Sequence, residues 1–390
     1  MMFIGICGSK CAGKTTVAQY LVEHHGFQRL CIDSRPRSDD HGCSASSDTP
    51  PTSGTGPAIY SSASRELPLR LSHQPLCFPT AEHLLDFVTK RWRGRWVTTD
   101  IVSQEVLDIF SRRPFFLLIS VDAPVTVRWQ RFQRRWERSQ RLQKHNVDAH
   151  LLATDDTGAQ NKADHADPPA ALTSLEAFVR HSDIHLYDSD TGHLPLMSRA
   201  TVRLVNTSSD LAHLYATLGK IDLLNEDRLR PSWDTYFMAL ASLAAQRSNC
   251  MKRRVGCVLV RERRVVSTGY NGTPRGLRNC GEGGCGRCND GGGGSGHGLA
   301  TCLCIHAEEN ALLEAGRERI REGAILYCDT CPCLTCSIKI AQVGISEVVY
   351  SQGYSMDQKT AAVLQEAGVK LRQFTPPANG LIHLEKTTLY

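Results

Sequence analysis

Two short stretches in the C-terminal half of the chain contain residue types that bind zinc and transfer protons. They are His306-Ala307-Glu308 and, further along, Pro332-Cys333-Leu334-Thr335-Cys336. Imidazole and thiolate are common zinc ligands, and three protein ligands leave one tetrahedral position open for water, as in catalytic sites. His306, Cys333 and Cys336 are therefore predicted to hold a catalytic Zn²⁺, which lowers the pKa of a water molecule enough for hydrolysis near neutral pH.

Glu308 has the position expected of a proton shuttle. It follows the histidine by two residues, at the predicted start of a helix, where it reaches the reacting water without taking a coordination position. Its carboxylate can carry a proton from water to a ring nitrogen and then to departing ammonia. H-x-E followed by P-C-x-x-C is the signature of zinc-dependent nucleobase deaminases. The alternative is a structural zinc corner or redox pair at Cys333 and Cys336, which requires neither the glutamate nor the preceding proline.

The composition bounds the class of protein. A chain of 390 residues is long enough for two domains, and 41% hydrophobic with 22% charged residues is typical of an ordinary soluble protein. The formal net charge of +5 is too mild to favour a nucleic-acid or membrane surface. No apolar run reaches membrane-spanning length, and residues 1–7 lead into a glycine-rich loop and not a cleavage site. We therefore expect a protein of the cytosol or nucleus.

The cysteines are unevenly distributed. Of 16 cysteines, eleven lie between Cys250 and Cys336. In a chain of this size without a secretion signal, such clustering favours metal binding over disulfide formation.

The N-terminus has the pattern of a phosphate-binding loop. An apolar strand at 3–7 precedes G-S-K-C-A-G-K-T at 8–15, and a helix is predicted at 16–24. Strand, G-x-x-x-x-G-K-[ST] and helix in this order predict a P-loop. The loop residues Gly8 and Gly13 are expected to let backbone N–H groups reach phosphate oxygens. Lys14 is expected to bind the β- and γ-phosphates, and Thr15 to bind Mg²⁺. Phosphoryl transfer does not follow, because no acceptor-site or base residue can be named.

The rest of the N-terminal half reads as a doubly wound α/β domain with a parallel sheet, predicted to span 1–228. Its predicted elements are helical or mixed segments at 67–89 and 98–111, a buried strand at 115–121, a basic helix at 125–138, a strand at 201–206 and a closing helix at 209–219. Polar, Ser/Pro/Gly-rich composition predicts disordered insertions at about 35–66 and 147–171. In the basic helix, Arg131, Arg134 and Arg135 either contact phosphates or form a solvated face, and the sequence leaves both open.

A second domain is predicted over 229–390. Its predicted elements are a helix at 235–247, a strand pair at 255–261 and 264–270, ligand-bearing helices at 306–315 and 333–343, strands at 324–328 and 347–350, a helix at 358–367 and a last strand at 369–374. The strand pair turns at Glu262-Arg263.

The segment from about 230 to 374 resembles deoxycytidylate (dCMP) deaminase. Beyond the two zinc motifs it contains R-R-V-G-C-V-L-V at 253–260, S-T-G-Y-N-G-T-P at 267–274 and G-I-S-E-V-V-Y at 344–350. The N-terminal half, joined through R-L-R-P-S-W-D-T-Y-F at 228–237, resembles the fungal form of this enzyme. The resemblance implies a cytidine-deaminase-like α/β/α three-layer fold and conversion of dCMP to dUMP and ammonia for thymidylate synthesis. It also implies a homo-oligomer regulated by dCTP and dTTP.

The same resemblance implies further site residues. A second, structural zinc in such relatives matches Cys250, Cys280 and Cys304 here, with a fourth ligand from the glycine-rich segment. Cys285 and Cys288 are the leading candidates for that ligand, and His297 and Cys302 are weaker ones; free buried thiols are the alternative. Backbone near Ala307 is implied to hold the base, Asn271 to contact the nucleotide or an effector, and Arg317 to contact phosphate. Turn chemistry for Asn271 and a helix-end cation for Arg317 are the competing interpretations.

Three other functions stay open. An RNA or DNA base deaminase would need a basic groove with aromatic side chains, and the C-terminal domain shows no such run. A nucleotide-sensing or scaffold protein would bind ATP or a deoxynucleotide at the P-loop without chemistry. A bifunctional protein would combine a kinase with the deaminase.

Overall fold

A computed structural model describes residues 1–33, 74–150, 174–208, 210–290, 298, 301–353, 357–377 and 379–384. The chain divides into two compact units, a first unit of Met1–Leu224 with Asn379–Tyr390 and a second unit of Asn225–Ala378. The predicted insertion at 35–66 and most of the one at 147–171 lie outside the described residues, as do His297 and the glycine run at 291–294. Among the described helices, none combines the length and apolar character that crossing a membrane requires.

The first unit contains a seven-stranded sheet in its described residues, and every strand pair in it is parallel. The strands are β1 Met2–Gly8, β2 Gln28–Ile32, β3 Leu76–Phe78, β4 Arg95–Thr98, β5 Phe116–Asp122, β6 Val202–Val205 and β12 Gly380–His383, in the order β12-β6-β5-β1-β4-β2-β3. The central strand β1 is buried along its whole length. Strands buried on both faces read as continuous apolar runs, which is why β1 and β5 were predictable and the short β2, β3 and β4 were not. A disulfide joins Cys31 to Cys77, which are register partners in β2 and β3.

Seven helices accompany this sheet in the described residues. They are α1 Lys14–His25, α2 Ala81–Lys90, α3 Gln104–Ser111, α4 Val125–His150, α5 Leu175–Tyr187, α6 Leu194–Ser198 and α7 Leu211–Ile221. The basic helix predicted at 125–138 is therefore too short, and the insertion predicted from 147 is wrong over 147–150. The reason is that the arginine, glutamine and lysine residues after 138 are good helix formers despite their polarity.

The last strand of the first unit comes from the far end of the sequence. β12 pairs in parallel with β6, from Gly380 opposite Val202 to His383 opposite Val205. The prediction that 229–390 forms one domain ending with a strand at 369–374 is wrong in this respect. A four-residue strand whose partner is remote in sequence leaves no local signal of its pairing.

The second unit has a five-stranded sheet over its described residues. Its strands are β7 Gly256–Arg261, β8 Arg264–Tyr270, β9 Ile325–Thr330, β10 Glu347–Gln352 and β11 Lys370–Gln373, in the order β11-β10-β9-β7-β8. β7 is antiparallel to β8 and β9, whereas β9, β10 and β11 are parallel. Glu262 and Arg263 have φ of 51° and 60°, the left-handed pair that a two-residue hairpin turn requires. The predicted hairpin is confirmed.

Helices cover both faces of this sheet. They are α8 Trp233–Ala245, α10 Ala307–Ala315, α11 Leu334–Val343 and α12 Asp357–Glu366, whereas the short α9 Gly286–Asn289 lies in the loop between β8 and α10. α8 packs on Val258 and Val260 of β7, whereas α10, α11 and α12 pack on the face that carries Cys257 and Leu259. Because neighbouring strand residues point to opposite faces, the helices form two layers. The predicted three-layer α/β/α order is therefore confirmed.

Candidate active site and metal centres

The three predicted zinc ligands come together at the N-terminal ends of two helices. His306 is the N-cap residue of α10, Cys333 is that of α11, and Cys336 lies in the first turn of α11. The Sγ atoms of Cys333 and Cys336 are each 3.3 Å from Nδ1 of His306. Zinc bonds of ordinary length place tetrahedral nitrogen and sulfur ligands about 3.5 Å apart, so the donor set fits one Zn²⁺ with an open fourth position.

The electrostatics of the trio favour one thiolate ligand, at Cys333. Contact with Cys336, and then with His306, lowers the pKa of the Cys333 thiol to about 3. Contact with Cys333 also raises the pKa of His306 and that of the Cys336 thiol, so the protonated forms of these two groups compete with zinc binding. A helix N-terminus carries positive potential, which further stabilises a thiolate there. The residues are thus arranged to present a negative sulfur ligand to a cation.

Glu308 lies beside these ligands in the first turn of α10. Only 4% of its surface is exposed. Burial raises the pKa of its carboxyl group to about 7, against the opposing effects of its backbone hydrogen bond and of His306. An acid–base group is most effective when its pKa is near the working pH, so Glu308 is suited to move protons at neutral pH.

Contacts that the sequence did not reveal hold the two ligand helices in place. The Asn310 side chain donates to the Tyr270 backbone oxygen at 2.9 Å, which ties α10 to β8. Lys339 of α11 pairs with Glu309 of α10 at 2.7 Å. The Thr360 hydroxyl of α12 donates to the Pro332 oxygen at 2.9 Å, just before the cysteine ligands. Such residues have no motif, because their role depends on neighbours that are distant in sequence.

The predicted substrate contacts have different positions. Ala307 is the first residue of α10, where N–H groups have no acceptor within the helix and can donate to a ligand. Arg317 is exposed beyond the other end of this nine-residue helix, about 13 Å along the axis at 1.5 Å per residue. The structure therefore brings Ala307 to the Glu308 site but does not bring Arg317 there.

Asn271 is buried and binds the backbone around it. Its amide oxygen accepts from the Val255 N–H at 2.8 Å and from the Ser248 hydroxyl at 2.7 Å, and its amide nitrogen donates to the Arg253 oxygen at 2.7 Å. The amide thus joins the start of β7 to the end of β8. A contact with the nucleotide or an effector stays a prediction, and the observed bonds are structural.

The cysteines before α10 form a second group of thiols. Sulfur atoms of Cys250, Cys280, Cys288 and Cys304 all lie within 4.8 Å of one another. The structure thus places Cys288, and not Cys285, with the three cysteines predicted to bind a structural zinc. Cys285 belongs instead to an overlapping group with Cys288, Cys302 and Cys304.

Two further thiols pack in the sheet. Cys257 of β7 and Cys328 of β9 are register partners, and both are fully buried. Burial raises the pKa of Cys257, as expected for a core residue rather than a ligand.

In the first unit, the loop from Gly8 to Thr15 connects β1 to α1. Gly8 and Gly13 have φ of 141° and 106°, which glycine adopts readily. Lys14 Nζ donates to the backbone oxygens of Gly8 and Ser9 at 2.9 and 3.0 Å, and burial lowers its pKa to about 8. Thr15 is exposed.

Arg131 has a role that neither sequence interpretation anticipated. Its guanidinium donates to the Ala12 oxygen at 3.0 Å and to the Ser208 oxygen at 2.8 Å. It therefore ties the glycine-rich loop to the segment after β6. Arg134 and Arg135 are exposed, and Arg135 lines a cavity of about 280 Å³ beside Gly13 and Asn206.

The three-layer fold and the His-Glu-Cys-Cys constellation define a zinc-dependent deaminase of the cytidine deaminase class. Residues 231–352 match the family model for the cytidine and deoxycytidylate deaminase zinc-binding region. The chain is 44% identical over 381 residues to deoxycytidylate deaminase of Schizosaccharomyces pombe, covering 98% of this chain and 100% of that protein. It therefore belongs to the deoxycytidylate deaminase family.

Other relatives have the same description. Deoxycytidylate deaminase of Saccharomyces cerevisiae is 45% identical over 303 residues, which cover 75% of this chain and 86% of that protein. The chain is also similar to the crystal structure of dCMP deaminase from the cyanophage S-TIM5 in complex with dCMP and dUMP, with 32% sequence identity. The match covers 36% of this chain and 94% of that chain, with a TM-score of 0.30.

Proposed function

We propose that this chain hydrolyses dCMP to dUMP and ammonia, and so supplies dUMP for thymidylate synthesis. The observation that carries the proposal is the buried Glu308 carboxyl beside the converging donor atoms of His306, Cys333 and Cys336. Family membership over the whole length of a relative selects the substrate class.

The reaction follows from the arrangement of the site. His306, Cys333 and Cys336 would hold zinc, which when bound makes a water molecule acidic enough to lose a proton at neutral pH. Glu308 accepts that proton and delivers it to N3 of the cytosine ring while the water oxygen bonds to C4. The same carboxyl then transfers the remaining proton of that water molecule to the amino group as the C4–N bond breaks and ammonia leaves. The first-turn N–H of Ala307 would donate to the base and orient it.

A substrate panel tests this proposal. Ammonia release is measured from dCMP, CMP, deoxycytidine and single-stranded DNA under the same conditions. We expect dCMP to have the highest kcat/KM. Turnover of the DNA strand in preference to dCMP would instead favour the alternative of a nucleic-acid deaminase.

A structural zinc is the second part of the proposal. Cys250, Cys280, Cys288 and Cys304 offer four thiol ligands, and the sulfurs of Cys250 and Cys288 are 3.7 Å apart. Zinc–sulfur bonds of ordinary length give a tetrahedral edge of about 3.8 Å, so these donors fit the ion. Metal binding would order a segment that is too rich in glycine to form its own core.

A nucleotide site in the first unit is the third part. The specific observation is the partly buried Lys14 ammonium held against the loop oxygens of Gly8 and Ser9, where β1 meets the N-terminus of α1. Positive potential at a helix N-terminus and a lysine in such a loop are the elements that bind phosphate. A cavity of about 280 Å³ lies next to Gly13, just below the range of about 300–1,000 Å³ that is typical of ligand pockets. We propose Mg-nucleotide binding at Gly8, Gly13, Lys14 and Thr15, with ATP, dCTP and dTTP as the ligands to titrate.

Assembly and regulation complete the proposal. By membership of the family, we propose a homo-oligomer whose activity responds to dCTP and dTTP. Light scattering coupled to size exclusion gives the oligomer mass, and dCMP assays with each triphosphate give the response. A monomer with unchanged rates would refute this part alone.

A further inference from the structure

Six thiols come together in the described part of the second unit, and they form two overlapping groups. The Cys250 set contains Cys250, Cys280, Cys288 and Cys304, and the Cys302 set contains Cys285, Cys288, Cys302 and Cys304. In each set, all sulfur atoms lie within 4.8 Å of one another. The two sets share Cys288 and Cys304. We call the six residues together the six-cysteine cluster.

The sulfur–sulfur distances are those of tetrahedral edges. The sulfur of Cys288 is 3.7 Å from that of Cys302 and 4.0 Å from that of Cys304, and Cys285 is 3.9 Å from Cys302. A tetrahedral zinc–thiolate edge is about 3.8 Å, whereas a disulfide bond is about 2.05 Å. The Cys288–Cys304 contact belongs to both sets, so it has the position of an edge shared by two tetrahedra.

A single ion would leave part of this cluster without a role. An ion in the Cys250 set leaves Cys285 and Cys302 as adjacent thiols, and an ion in the Cys302 set leaves Cys250 and Cys280. If two ions share two sulfur ligands, each ion has four ligands and all six thiols are used. We propose that the six-cysteine cluster binds two zinc ions bridged by the thiolates of Cys288 and Cys304.

Hydrogen-bond donors surround the outer thiols of the cluster. The backbone N–H of Met251 points at the Cys280 sulfur at 3.4 Å, and that of Leu303 at the Cys285 sulfur at 3.4 Å. The Arg287 guanidinium lies 3.5 Å from the Cys302 sulfur. Two divalent cations do not neutralise six thiolates, so donors of this kind are needed to stabilise the remaining negative charge.

The cluster also has a direct connection to the active site. Cys304 precedes His306 by two residues, and Ile305 between them forms a two-bond backbone bridge with Gly272, at 3.0 and 3.3 Å. A bridging Cys304 would therefore fix the chain that delivers the catalytic histidine. The inference extends the structural zinc proposed above and does not depend on deaminase activity.

Zinc counting on the full-length protein tests the inference. The chain is saturated with zinc, desalted, and measured by elemental analysis and native mass spectrometry. We expect three zinc ions per chain, with one at His306. Cys302→Ala and Cys280→Ala should each lose one ion, and Cys257→Ala, a buried cysteine outside both sets, should keep all three. Two zinc ions per wild-type chain would overturn the inference but agree with the single structural zinc proposed above. One zinc ion per chain would refute both the bridged pair and the single structural zinc.

Cadmium substitution tests the bridge without any variant. The protein is loaded with an enriched cadmium isotope of nuclear spin one-half, and its NMR spectrum is recorded. Shared sulfur ligands should give two four-thiolate resonances, each split by coupling to the other ion. Two unsplit resonances, or one, would contradict the bridged pair. If Glu308→Gln abolishes activity but keeps three zinc ions, the metal inference is separated from the deaminase proposal.

Discussion

Gly269 of β8 lies against the backbone of Ala307, so closely that a Cβ atom on Gly269 would be 2.1 Å from the Ala307 oxygen. The same atom would be 2.5 Å from the Ala311 nitrogen. The absence of a side chain therefore lets α10 pack directly on the sheet. Because His306 and Glu308 flank Ala307, this close approach sets the position of a zinc ligand and of the proton shuttle.

Replacing this glycine should damage the active site more than the fold. In Gly269→Ala, the start of α10 must move away from β8, and overpacking of this kind costs about 1–3 kcal/mol of stability. A shift of about 1 Å at a catalytic group can cost about 10²-fold in rate, so we expect kcat/KM for dCMP to fall by that order. Steady-state kinetics and thermal unfolding measure both effects. Gly281→Ala is the control, because a Cβ there meets neighbours only at 3.7 Å or more. Equal activity of the two variants would contradict the argument.

Asn271 should prove to be a structural residue. Asn271→Ala removes the side-chain amide that accepts a hydrogen bond from the Val255 N–H and donates one to the Arg253 oxygen. Leaving buried polar groups unpaired costs about 1–3 kcal/mol, so the free energy of unfolding should fall by about that much. Urea denaturation measures the change, with the more exposed Asn279→Ala as control. An unchanged stability with a raised KM would instead assign Asn271 to substrate binding.

Lys14 should dominate triphosphate binding by the first unit. Charge-assisted hydrogen bonds contribute about 1.5–3 kcal/mol, so Lys14→Ala should weaken ATP or dCTP binding by about tenfold to a hundredfold. Isothermal titration in the presence of Mg²⁺ measures the affinities. Lys90→Ala removes an exposed lysine that pairs with Asp86 and should bind like the wild type. If the wild type gives no heat and no thermal shift with any triphosphate, the nucleotide site does not exist.

The sequence was most informative where function depends on local spacing. His306 and Glu308 share one helix start, and Cys333 and Cys336 share another, so each pair is fixed by a few residues of chain. The hairpin at Glu262-Arg263 and the long buried strands were predictable for the same reason.

Long-range relationships could not be predicted in this way. The pairing of β12 with β6 joins the C-terminal part of the chain to its middle, from Gly380 to Val202, and neither strand specifies its partner. Cys285 and Cys288 are three positions apart in one loop, and only the fold shows that Cys288 contacts both Cys250 and Cys304. Arg131 likewise has a basic-helix pattern in sequence but binds backbone oxygens of two separate loops.

The most direct test compares dUMP formation from dCMP by the wild type and by Glu308→Gln, with zinc content measured on the same samples. Positioned acid–base groups contribute about 10²- to 10⁴-fold in rate, so the variant should lose at least that much activity. It should keep all its zinc, because Glu308 is not a ligand. Glu314→Gln, which changes an exposed glutamate further along the same helix, should stay close to the wild type. Near-normal dUMP formation by Glu308→Gln, or no dUMP formation by the zinc-loaded wild type, would contradict the assignment of this site as a dCMP deaminase.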